Sequence, residues 1–149
     1  MKGTLHRLRP GSRRGQGVVE FALLVPVLLL LLMGIIELGW LMNVNLQVTN
    51  AAREGARAAS VGKTTTNVNT RVTNFLNTYN ITPVVTIQYS QNNGSSWTTV
   101  GDASGKNNAP NGSLIRVNLQ VTHKQLTNFI PGLNNFTFNK SVTMTREPT

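Results

Sequence analysis

The chain has 149 residues, no cysteine, and 14 Lys and Arg against 5 Asp and Glu, for a formal charge of +9. That length admits one small domain beside a membrane segment, and the absence of cysteine excludes a disulfide framework and a thiolate metal site. The charge does not in itself imply nucleic acid, because Lys2, Arg7, Arg9, Arg13 and Arg14 all precede the first acidic residue, Glu20.

Those five cations stand next to a long apolar run, and cations in that position mark the side of a membrane that is retained in the cytoplasm. The later cations, such as Arg71, Lys106, Arg116, Lys124 and Lys140, are scattered without interleaved aromatic residues. They predict a solvated surface, and nucleic acid is not an expected partner.

From Phe21 to Ile36 no side chain is charged or polar, and Leu38 to Met42 extends the run past Glu37. A helix needs about 20 such residues to cross a bilayer. A cleavable secretory signal would have a shorter apolar core, closely followed by a small-x-small site; the nearest such triplet here is Ala56-Arg57-Ala58. Residues 16–42 are therefore expected to form a retained membrane helix after a basic leader, residues 1–15. Pro26 removes a backbone donor within it and predicts a local loosening. Glu37 falls near the outer end of the span, where it either reaches the interface or meets a partner.

Helical character continues through residues 43–62, where Gln47 to Ser60 is rich in alanine and free of proline. Ala51, Gly55 and Ala59 recur every four residues and share a face. Small residues at that spacing let another backbone come close. This face packs either on the chain's own domain or on another subunit, and the sequence leaves both open. Arg53 and Arg57 form a separate stripe, and Gly62 suits a left-handed cap. A helix from Gln16 to Ser60 would be roughly 65 Å long at 1.5 Å per residue.

Residues 63–149 are expected to form a small α+β domain. Residues 63–69 read as a connector, after which Val68, Val72, Phe75, Leu76 and Tyr79 follow helical spacing to about Asn80. Val84 to Tyr89 is strand-like, Asn93-Gly94 marks a hairpin turn, and Trp97 to Val100 is the expected return strand. Leu114 to Val121 alternates as a half-buried strand does. Phe136 to Met144 gives a last strand in which Lys140 breaks the alternation. Successive strands joined by turns predict a small antiparallel sheet, one face of it covered by the helices.

Gly15-Gln16-Gly17-Val18-Val19-Glu20-Phe21-Ala22-Leu23-Leu24-Val25-Pro26, together with Ala51-Ala52-Arg53-Glu54-Gly55-Ala56-Arg57 and, more weakly, Val142-Thr143-Met144-Thr145-Arg146-Glu147, resembles the TadE-like pseudopilins. These form the tight-adherence, or Flp-type, branch of the type IV pilin superfamily. The resemblance implies a single-pass protein of the bacterial cytoplasmic membrane, with its N-terminus cytoplasmic and its C-terminal domain extracytoplasmic. A prepilin peptidase would cut after Gly15, leaving Gln16 as the new N-terminus and Glu20 as the fifth residue. Glu20, with Phe21 and Pro26 beside it, would then serve subunit assembly by meeting the new α-amine of a neighbour, since an apolar setting drives an unpaired carboxylate toward a cation. The expected partners are the membrane, the peptidase and other pilin or platform subunits, with no small-molecule substrate, metal or cofactor. Residues 63–112 have no counterpart in the resemblance beyond general layout.

Catalysis is not expected. Past the span the acids are Glu54, Asp102 and Glu147, His123 stands alone, and no nucleophile or metal constellation surrounds them. The competing reading is a membrane-anchored binding or adhesion module that never enters a filament.

Overall fold

The computed structural model describes residues 13–101, 104–124 and 135–148. Most of the expected leader, residues 1–12, lies outside the described residues, as does the expected Pro131-Gly132 loop. The elements in chain order are α1 (Arg13–Ser60), α2 (Thr65–Asn77), β1 (Pro83–Ser90), β2 (Thr98–Thr99), β3 (Leu114–Lys124) and β4 (Asn135–Thr145). The architecture is thus a long N-terminal apolar helix, a short second helix and a four-stranded antiparallel sheet, as composition and periodicity predict. The chain divides into two compact units between Ile36 and Glu37.

In the first unit, α1 presents apolar side chains all round. Phe21, Leu24, Leu28, Leu31 and Ile35 are 62% to 67% exposed. Leaving such surface in water forfeits about 25 cal/mol per Å² of apolar area, whereas a helix in lipid satisfies its backbone internally and suits that solvent. This segment is a candidate membrane span.

In the second unit, the remainder of α1 becomes the spine of a folded core. Val44, Val48, Ala51, Ala52, Ala56 and Ala59 are buried along it, and Val68, Val72 and Leu76 of α2 close the core at the three- and four-residue steps of an amphipathic helix. The sheet has the order β2-β1-β3-β4. Its inner rows follow from register, with Val85 opposite Leu119, Ile87 opposite Val117 and Tyr89 opposite Ile115. On the far side of β3, Val142 and Phe138 continue those rows from Val117 and Val121.

Three local expectations change. First, α2 begins inside the expected connector, at Thr65. The Thr64 side chain accepts a bond from the Asn67 amide at 3.2 Å, and that cap outweighs the weak helix propensity of the Thr-rich start. The Thr65 amide is itself held by the Gly105 carbonyl at 2.9 Å. Second, the return strand is only Thr98–Thr99. Gly101, at φ 114°, turns the chain away and donates its amide to Asn108 Oδ1 at 2.9 Å. Third, β4 runs unbroken through Lys140, which lies opposite Leu119 in the inner row and is half-buried. Backbone pairing sets the period of two there, and the long lysine stem tolerates the position.

Candidate functional site

The residues around the expected cut lie on the exposed face of a helix. Gly15 has nothing within 4 Å of where a Cβ would stand. Gln16 Nε2 donates to Glu20 Oε1 at 3.5 Å, one helical turn away, and the Glu20 carboxylate is exposed. Phe21, also exposed, follows at 67%. Pro26 is contained within the continuous helix α1, where its ring costs one backbone hydrogen bond. Glycine, amide, carboxylate and aromatic ring therefore stand within two turns of an otherwise apolar surface.

Farther along α1, the small residues face inward. Ala51 and Ala59 are fully buried, and a Cβ on Gly55 would come to 2.7 Å from Val72 Cγ2 and 3.4 Å from Val117 Cγ1. Of the two arrangements left open by the sequence, this is packing on the chain's own α2 and β3. The opposite face carries the exposed Arg53 and Arg57. A glycine at the closest approach and alanines flanking it let α1 lie against the sheet without a gap.

The family model of TadE-like proteins matches residues 15–57. This segment is TadE-like. The match begins at the glycine of the expected cut and ends at Arg57, covering less than a third of the chain. No curated protein and no solved structure matches the chain. The TadE-like segment thus supplies both the exposed apolar helix and the inner spine of the domain.

The TadE-like helix is anchored by the left-handed cap expected at Gly62 and by two long-range contacts that sequence spacing did not reveal, one from Arg146 and one between Trp40 and His123. At its C-terminal end, Gly62 has φ 80°, the Gly62 amide donates to Ala59 O at 3.1 Å, and the Lys63 amide donates to Ala58 O at 3.1 Å. That pair of bonds closes the helix with a left-handed residue that favours glycine. Arg146, 6% exposed, then donates from Nη1 to Ser60 O at 2.9 Å, while the Glu147 amide reaches the same carbonyl at 2.9 Å. A guanidinium at a helix C-terminus also meets the negative end of its dipole. Any side chain on Gly62 would strike that guanidinium, with a Cβ only 2.5 Å from Nη2.

Near the start of the second unit, Trp40 Nε1 donates to His123 Nε2 at 2.7 Å. His123 therefore accepts through a neutral imidazole nitrogen. Burial pulls its pKa below the ordinary histidine value, and the nearby Glu37 carboxylate partly opposes the shift. Glu37 is only 2% exposed. Partners separated by 83 and 86 residues leave no local signal, so only the fold identifies them. Among the described residues, no group of three or more His, Cys, Asp or Glu is placed to hold a metal ion.

Proposed function

We propose that this protein is a minor pilin or pseudopilin that takes part in assembling a tight-adherence pilus. The observation that carries the reading is the TadE-like match, which starts at Gly15 and takes in the exposed apolar helix. On this reading the chain crosses the bacterial cytoplasmic membrane once, with its cationic leader inside and residues 43–149 outside. A prepilin peptidase removes residues 1–15, and the mature chain begins at Gln16.

The chemistry of such a cut explains the neighbouring residues. Cleavage turns the Gln16 amide nitrogen into an α-amine that is largely cationic at neutral pH. In lipid that cation and the Glu20 carboxylate of a neighbouring subunit would each be costly alone, so pairing them fixes the axial register of two apolar helices that otherwise slide freely. Exposed Phe21 and the turn around Pro26 shape the same contact. N-terminal sequencing of the protein extracted from membranes should begin at Gln16. An intact Met1, or a start beyond Met42, would overturn the proposal.

A further inference from the structure

We propose that the cationic groove between the last turns of α1 and the side of α2 is a binding site for phosphate-bearing anions. Arg57 and Lys63 are exposed along it, Arg71 crosses from α2, and Ala58 and Val61 form the remaining wall of a depression of about 370 Å³. The small Ala58 side chain leaves the space open. Arg71 Nη1 bonds Glu54 Oε1 at 2.8 Å, which holds one guanidinium in place. The three cations and one carboxylate leave a net charge of +2 in the groove.

Along the sequence these cations look scattered, and the helix pair gathers them. The simpler account is that Arg57 and Lys63 offset the negative end of the α1 dipole. Arg146 already occupies that end, bonded to the terminal Ser60 carbonyl, so the two exposed cations exceed what the dipole requires. A planar guanidinium presents paired donors that match phosphate oxygens, and an ammonium adds a point charge beside it. The groove lies wholly within the second unit, and the proposal is independent of the pilin reading.

The test is lysine acetylation of the full chain in neutral detergent, read peptide by peptide by mass spectrometry, with inorganic pyrophosphate as the probe. Lys63 should be protected while Lys140 reacts at its original rate, and Arg57→Gln should raise the half-protecting concentration about tenfold, as expected for one charge-assisted contact. Protection should fade as salt rises. A parallel titration with phosphatidylglycerol bicelles distinguishes a lipid headgroup from free phosphate as the source. Equal protection of Lys63 and Lys140, no protection by either probe, or equal protection by polyglutamate would overturn the proposal.

Discussion

Arg146 illustrates how one side chain can decide the end of an element. It is buried at 6% exposure and donates to the Ser60 carbonyl, which also accepts from the Glu147 amide. Replacing Arg146 with Met keeps the apolar stem and removes the donors. We expect a loss of about 3 kcal/mol, from the charge-assisted bonds withdrawn from the Ser60 and Glu147 carbonyls and the cation withdrawn from the helix end. Denaturant unfolding in detergent, followed by tryptophan fluorescence, measures it. Arg53→Met, on the exposed face of the same helix, should change stability by less than about 0.5 kcal/mol. Gly62 was legible in the sequence because a left-handed cap has a compositional signature. Arg146 was not, since nothing near it in sequence indicates which carbonyl it serves.

At the scale of elements, legibility followed periodicity. β3 alternates with Ile115, Val117, Leu119 and Val121 inward, and its pattern survives folding because one face meets the helices and the other meets solvent. On the outer face, Gln88 Oε1 accepts from Arg116 at 2.7 Å and from Asn118 at 3.0 Å, and Arg116 stacks over Trp97 at 3.9 Å. Such cross-strand ties depend on register, which hydropathy does not specify. The start of α2 was missed because the run Thr64-Thr65-Thr66-Asn67 is a poor helix by propensity and a good one by capping. Thr64→Ala should therefore cost about 1 kcal/mol, and Thr64→Ser should cost little. Hydrogen exchange at the Asn67 amide, whose acceptor is the Thr64 hydroxyl, should accelerate in the alanine variant and stay near its original rate in the serine variant.

For the whole molecule, the feature hardest to read was where the apolar helix changes its surroundings. Leu38 and Met42 are 63% and 71% exposed, whereas Val44 and Val48 are buried in the domain core. To a hydropathy window all four are simply apolar, so it cannot distinguish a lipid-facing side chain from one packed against protein. The compact unit that contains Val44 and Val48 begins at Glu37. The role proposed for Glu20 is tested at this scale. Glu20→Ala should leave cleavage after Gly15 largely intact and reduce incorporation into pili, scored by immunoblot of sheared filaments against membrane fractions. Normal incorporation of that variant would remove the amine-carboxylate pairing from the account.

The clasp of Arg146 on Ser60 also imposes an order in time. The two residues are 86 positions apart, and Arg146 is translated after every described strand. Early in synthesis α1 can form its own backbone ladder, and the Gly62 and Lys63 amides close the Ala59 and Ala58 carbonyls locally, but the Ser60 carbonyl must remain hydrated until Arg146 and Glu147 are in place. A nascent domain is therefore recognisably unfinished at the tip of its longest helix, and its last hydrogen bonds form only when the final strand arrives.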